Sequence, residues 1–297
     1  MSADERLLCI VGPTASGKSA LALRLAQELG GEILSADSMQ IYRGFDIGTG
    51  KPSAEERALV PHHLLDVAAP LEIWDAARWA EQAALVIAEL RSRGKVPIVC
   101  GGSFLWVRAL VYGLADAPRG DAELRARHRA WAEAEGRAAL HARLAEVDAP
   151  SAARLAPNDF VRVSRALEVF ELTGVPLSQV HAAHGFREQR YAVRLLGVAR
   201  ERPELDELIA TRVRTMLTAG LVSEVERLVA EGFGEARAMG SVGYRQVRDA
   251  QAAGSVGDET ALADAIVRAT RVFARRQRTW LRDQPVEWLA ADATKLP

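Results

Sequence analysis

The chain is poor in the features that would place it in a membrane, an oxidising compartment or a zinc fold. Its 297 residues contain no run of about 18 apolar residues, which argues against a helical membrane span. Only two cysteines occur. Cys9 and Cys100 both fall in apolar, strand-like runs, so they read as reduced core thiols of a cytoplasmic protein rather than a disulfide framework. Cysteine and histidine never recur at metal-ligand spacing, and the adjacent His62 and His63 point to different sides of any regular element, so no zinc site is expected. The opening stretch MSADERLLCIVG is acidic, runs straight into an apolar segment and carries no secretory signal pattern. Net charge is nearly absent too: 38 Lys and Arg against 39 Asp and Glu leave −1, with a pI near 6.6. A polyanion partner would therefore have to be met by a local cluster of basic residues.

What is present is ordinary in bulk and specific in detail. Hydrophobic residues make up 49% and charged residues 26%, as in soluble globular proteins, and the length suits one large domain or one and a half. Residues 6–11 form a short apolar run before a glycine-rich turn. Residues 18–29 carry a helical pattern stopped by Gly30 and Gly31, and 32–36 read as a second strand. Residues 73–93 are helical in period, with Trp74 and Trp79 read as packing groups, and 96–100 (VPIVC) form a third strand. Strands alternating with helices predict an α/β fold with a parallel, doubly wound sheet. The character changes near Ala117. From there to about Gln189 the pattern is almost wholly helical, after which 191–198 (YAVRLLGV) read as a strand returning to the sheet. The expected organisation is an α/β core of residues 1–118 and 190–297 with an all-helical insertion at 119–189. No internal repeat or low-complexity tract appears.

The most specific local signal is GPTASGKS, formed by Gly12, Pro13, Thr14, Ala15, Ser16, Gly17, Lys18 and Ser19. It fits the phosphate-binding loop G-x-x-x-x-G-K-[ST]. The glycines let backbone N–H groups turn toward an anion at a helix N-terminus, the lysine supplies charge, and the serine hydroxyl can ligate Mg²⁺. Asp37 follows the second strand, where the carboxyl ends of parallel strands form the ligand crevice. It could hold a metal, act as a general base, or simply cap a helix. An NTPase would usually add an apolar strand ending in Asp to position water. The candidates here end in Gly101-Gly102-Ser103 and Ala199-Arg200, so the hydrolytic acid is missing or disguised; a small-molecule kinase, which can place its acid after the second strand, remains open.

Two arginine features complete the pattern. Leu205, Ile209, Arg212 and Met216 share one helical face, so the Arg212 guanidinium interrupts an apolar stripe and calls for an anion, either a structural carboxylate or a substrate phosphate. Near the end, IVRATRVFARRQRTWLR places Arg268, Arg271, Arg275, Arg278 and Arg282 three and four residues apart. They form one acid-free stripe along a helix, with Ile266, Phe273 and Trp280 expected to anchor another face. Such a stripe on a chain of near-zero net charge looks like a track for a nucleic-acid backbone.

These segments, together with DSMQIYRGFDIGTGKP, PHHLLDV, GGSFLWVRAL, NDFVRVSRALEVFELTG and GSVGYRQ, resemble the tRNA dimethylallyltransferase (isopentenyl-tRNA transferase) family over nearly the whole chain. The resemblance implies a phosphate-binding-loop core and a bacterial-type enzyme, since the zinc finger of eukaryotic relatives is absent. It implies that the loop holds the diphosphate of dimethylallyl diphosphate, with Mg²⁺ at Ser19. By the same resemblance, the five-carbon group would pass to N6 of the adenosine just 3′ of the anticodon. Asp37 would then be the base, with Lys18 and Arg212 stabilising the departing diphosphate. The tRNA path would include Asp37, Ser38, Met39 and Gln40, then Ser103, Arg125, Val161, Arg162, Val163, Ser164 and Arg165. It would continue over Gly240, Ser241, Val242, Gly243, Tyr244 and Arg245 to Arg271, Arg275 and Arg278. Ser103 stands where threonine is common, and Val161 where some relatives carry glutamine. A cytoplasmic monomer is the expected state.

Overall fold

The computed structural model describes residues 6–290. The chain opens with β1 (Leu7–Val11), five apolar residues buried from end to end. After the glycine-rich turn comes α1 (Lys18–Leu29), which buries Leu21, Ala22, Leu25 and Ala26 and stops at Gly30, whose φ of 63° is the left-handed value that favours glycine. β2 (Gly31–Ser35), α2 (Ala54–Leu59), β3 (His62–His63), α3 (Ala76–Ser92), β4 (Val96–Gly101) and α4 (Phe104–Tyr112) follow. A helical stretch then holds α5 (Ala122–Ala134), α6 (Arg137–Val147), α7 (Ala149–Arg154), α8 (Phe160–Thr173) and α9 (Leu177–His184). The chain returns through β5 (Val193–Val198), α10 (Arg202–Thr218), α11 (Leu221–Ala230), a 3-10 turn at Arg237–Gly240, α12 (Tyr244–Ala252), α13 (Glu259–Leu281) and β6 (Val286–Leu289).

The six strands form one sheet in the order β3-β2-β4-β1-β5-β6, and every pair is parallel. Both faces are covered, which explains why the strands read as continuous apolar runs instead of alternating ones. One face sets Leu8, Ile10, Ile33, Ile98 and Leu196 against Leu21 and Leu25 of α1. On the alternate parity Cys9, Val11, Leu34 and Val99 are equally buried, and Trp79 of α3 donates its Nε1–H to Ser35 O at 3.0 Å. Trp79 stacks on Trp106, ring centroids 5.2 Å apart, so it is a packing group. Both cysteines are buried free thiols, and burial pushes Cys9 up to about 12 and Cys100 up to about 11. Among the described residues no helix is long and apolar enough to cross a membrane.

The chain divides into two compact units. One runs to Val111 and resumes at Arg190; the other is Tyr112–Gln189. The first break thus comes at the end of α4, a few residues before position 118. The helical unit has its own core of Leu140, Leu144, Ala152, Val163, Ala166 and Leu167. Most of its buried polar groups are paired: Glu168 accepts from Asp121 N–H and from Arg125 and Arg165, while His128 lies between Ser164 (2.9 Å) and Glu171 (3.1 Å). The Trp131 indole N–H is buried with no partner among the described residues.

Several boundaries and one anchor differ from the sequence expectation. β2 begins at Gly31, β5 at Val193, and α3 at Ala76, where the Asp75 carboxylate caps the helix by accepting Arg78 N–H. The sheet gains β3 and β6, too short to show a period. Phe273 and Trp280 do not anchor α13: they are 42% and 41% exposed. The buried seam is Leu262, Ile266, Thr270, Ala274, Gln277 and Leu281. A seven-residue spacing drifts about 20° per repeat on a straight helix, so Phe273 and Trp280 slide progressively off the face that Ile266 begins.

Candidate active site

The carboxyl ends of β1, β2, β4 and β5 line one edge of the sheet, and the segments leaving them carry the candidate residues. From β1, residues 12–17 curl into α1 with φ of 64° at Ala15 and 96° at Gly17. No side chain caps α1, and no acidic residue lies in its first turn. Its unpaired first-turn amides and positive dipole end therefore face the crevice without an anionic partner from the chain. The Ser16 hydroxyl is fully buried and has no hydrogen-bond partner among the described residues, and a Cβ at Gly12 would sit 2.7 Å from it. The loop is braced from behind: Arg200, just past β5, donates Nε–H to Ser16 O at 3.2 Å and pairs with Glu204.

From β2 the chain passes directly into Asp37. The approach is close, because Ala36 N–H donates to Cys100 O at 2.8 Å and Ser103 N–H to Ala36 O at 3.1 Å. A Cβ on Gly101 would overlap the Ala36 carbonyl, so glycine is required there. No helix begins at Asp37. Its Oδ1 accepts Met39 N–H at 2.9 Å, which leaves Oδ2 without a hydrogen bond among the described residues. The next residue is pinned by Ser103, whose Oγ accepts Ser38 N–H at 3.0 Å.

Lys18 and Arg212 both lie within electrostatic reach of this carboxylate. Burial lowers Lys18 below the usual lysine range and Arg212 lowers it further, while Cys100 and Asp37 pull the other way. Arg212, on α10, is likewise lowered by burial and raised by Asp37. Lys18 reaches only Pro13 O, at 3.4 Å, and Arg212 forms no hydrogen bond or ion pair among the described residues. Two half-buried cations thus feel the Asp37 charge without an ion pair to it among the described residues, an arrangement that an anion would satisfy.

The wall beside Arg212 is built from residues 40–50. Gln40 accepts from Ser35 Oγ (2.9 Å) and donates to Thr49 O (3.2 Å) and Gly50 O (3.0 Å). A side chain at Gly50, where φ is 61°, would overlap the Arg212 guanidinium. Glu224 of α11 anchors this loop, accepting Asp46 N–H (3.1 Å), Ile47 N–H (2.9 Å), Gly48 N–H (3.3 Å) and the Tyr244 hydroxyl. Burial and the Glu224 charge push the Tyr244 phenol above its usual range. Removing this carboxylate strands several buried donors. Glu224→Ala is expected to lower unfolding free energy by about 3 kcal/mol, with Glu224→Gln losing less because an amide oxygen still accepts. A urea midpoint unchanged in Glu224→Ala would contradict that role.

The other expected contact residues fall into groups. Gly240 and Arg245 are exposed, Ser241 and Val242 partly so, and Gly243 and Tyr244 are buried; the Tyr244 ring packs on Phe45 and Gly48 and offers no free face. On α13, Arg268, Arg271, Arg275 and Arg278 are exposed opposite the buried seam, with Arg271 paired to Asp206 at 3.2 Å. Within the helical unit Val161 is 75% exposed and Arg162 is exposed, whereas Val163 and Ser164 face the core and Arg125 and Arg165 hold Glu168. Sequence reasoning assigned no role to Arg200, Glu224 or Gln277. Gln277 was detectable as the one amide in a seam otherwise of apolar residues and Thr270; the other two pair across distances no local pattern reveals.

A parallel sheet with an uncapped glycine-loop helix and unpaired cations at its carboxyl edge defines an α/β protein of the anion-binding class. Its family is narrower. Residues 40–284 match the sequence model described as IPP transferase. The "tRNA dimethylallyltransferase" of Sorangium cellulosum is 62% identical, over 97% of this chain and 91% of that protein. The full-length tRNA isopentenylpyrophosphate transferase of Bacillus halodurans superposes with a TM-score of 0.70 at 36% identity, covering 97% of this chain and 90% of that one. A eukaryotic dimethylallyltransferase described as acting on tRNA gives 0.79 at 25% identity, covering 97% and 74%. The chain belongs to the IPP transferase family.

Proposed function

We propose that this enzyme transfers the dimethylallyl group of dimethylallyl diphosphate to N6 of the adenosine just 3′ of the anticodon in tRNA, releasing diphosphate. The observation that carries the reading is the pair of half-buried, unpaired cations, Lys18 and Arg212, set with Asp37 at an uncapped helix N-terminus. That arrangement takes an anionic leaving group on one side and a proton on the other.

The adenine N6 lone pair is delocalised into the ring, so its attack on the allylic carbon is helped by a base. Asp37 Oδ2 accepts the N6 proton as the new C–N bond forms, while Oδ1 stays tied to Met39 and fixes the carboxylate. The allylic C–O bond breaks and its electron pair leaves with the diphosphate. The loop amides, Lys18 and Arg212 stabilise the growing charge, and the Ser16 hydroxyl, without a partner among the described residues, would add a donor. Among the described residues no three His, Cys, Asp or Glu side chains cluster as a metal cage. The residues present fit Mg²⁺, which commonly binds through one or two protein oxygens plus substrate phosphates; Ser19, in the exposed first turn of α1, would supply the hydroxyl. When bound, Mg²⁺ would neutralise diphosphate charge. A stacked adenine cannot enter this crevice, so the base is flipped out, and the exposed arginines of α13 serve the RNA backbone. The enzyme works as a cytoplasmic monomer in this reading.

Calorimetric titration with Mg²⁺ tests the donor. Dimethylallyl diphosphate is expected to bind at least tenfold more tightly than ATP, because no acid after β4 or β5 serves a triphosphate. Tight ATP binding with phosphoryl transfer to a small molecule would return the loop to the kinases.

A further inference from the structure

Gln277 sits on the buried seam of α13, only 6% exposed, among Ile266, Thr270, Ala274 and Leu281. Burying a primary amide in such a seam is unfavourable unless both of its ends are hydrogen-bonded. Both are. Oε1 accepts Thr14 N–H at 2.9 Å and Nε2 donates to Gly102 O at 3.2 Å. Thr14 lies in the middle of the loop proposed to hold diphosphate. Gly102 lies in the turn after β4 and is followed by Ser103, whose Oγ holds Ser38 N–H, the residue next to Asp37. A single side chain therefore ties the leaving-group loop to the wall that carries the base. Gly102 is shaped to admit it, since a Cβ there would overlap Gln277 Nε2. The rest of the seam holds α13 in place, so the amide is not needed to dock the helix.

We propose that Gln277 is a positioning residue that sets the gap between the donor diphosphate and Asp37. The proposal rests on the transferase reading. A displacement of about 1 Å between reacting groups can cost on the order of 100-fold in rate, and the alignment matters most at the transition state. Loss of the tether acts on kcat and leaves ground-state binding of either substrate largely intact.

The test compares wild type, Gln277→Ala, Gly102→Ala and the double variant in prenyl transfer to tRNA, with kcat referred to active sites counted by a single-turnover burst. Gln277→Ala is expected to lower kcat by roughly 10- to 100-fold, with KM for dimethylallyl diphosphate and for tRNA within about threefold of wild type. Gly102→Ala should lose a similar amount, because its methyl group displaces the Gln277 amide. In the Gln277→Ala background the same methyl group should cost almost nothing further. That non-additivity is the signature of a shared contact, and a purely structural loss of folded enzyme would not move the burst-corrected kcat. Wild-type kcat in Gln277→Ala overturns the proposal alone, as do losses that simply multiply in the double variant. A wild-type protein that transfers nothing overturns the proposal together with the transferase reading beneath it.

Discussion

Asp37→Asn is expected to slow prenyl transfer by a factor on the order of 10² to 10⁴ while tRNA affinity stays within about twofold. The substitution is nearly isosteric, and an asparagine Oδ1 can still accept Met39 N–H, so the turn that follows β2 keeps its shape. What disappears is the free carboxylate oxygen that would take the N6 proton. A second effect has the opposite sign for binding. Asp37 is the acidic group that offsets Lys18 and Arg212, so removing its charge leaves the site more positive and should lower, not raise, KM for dimethylallyl diphosphate. A variant with depressed kcat and unchanged or lower donor KM separates a lost base from a damaged site. Steady-state kinetics with varied donor measures both quantities, and full activity in Asp37→Asn would remove the base from the mechanism.

Lys18→Met should abolish most transfer, on the order of 10² to 10³, without weakening the fold. Burial, then the Arg212 charge, holds the Lys18 ammonium below its usual range. A cation whose folded value lies below its unfolded value costs stability wherever it is charged in both states. That cost is present at neutral pH and is relieved only as pH rises between the lowered folded value and the ordinary lysine range. Methionine fills the space without the charge, so the ligand-free variant should melt at or above the wild-type temperature at pH 7. Added diphosphate should raise the wild-type midpoint by mass action and scarcely move that of the variant. Thermal melts with and without diphosphate decide this. A variant that melts well below wild type in the absence of ligand would show that Lys18 stabilises the fold, contrary to the electrostatics described.

What the sequence revealed follows from what each feature depends on. The phosphate loop, α1 and the central strands are legible because local chemistry determines them: glycines at turn positions and apolar runs bounded by breakers. The Arg212 anomaly is legible because one charge interrupts a stripe, and Asp37 because it follows a strand at the carboxyl edge of a parallel sheet. Features that depend on distant partners are not. β3 has two residues and β6 four, and they exist as strands only because β2 and β5 offer an open edge. Arg200 reads as the end of a strand until its bond to Ser16 O is seen. Glu224 looks like one acid among many on α11 until the amides of residues 46–48 converge on it. Tyr244 belongs to a stretch expected to line the tRNA path, yet its side chain supports the loop beside Arg212 from within the core. Phe273 and Trp280 mislead because aromatic size suggests an anchor, whereas helical phase decides burial.

The most direct measurement incubates the purified protein with Mg²⁺, radiolabelled dimethylallyl diphosphate and unmodified tRNA bearing A-A-A beside its anticodon. Parallel reactions use Asp37→Asn and a tRNA in which the adenosine just 3′ of the anticodon is replaced. Label is expected in tRNA in the first reaction and in neither control. Label that persists with the adenosine replaced would contradict the assigned acceptor. No label in any reaction, with tight ATP binding instead, would contradict the transferase reading.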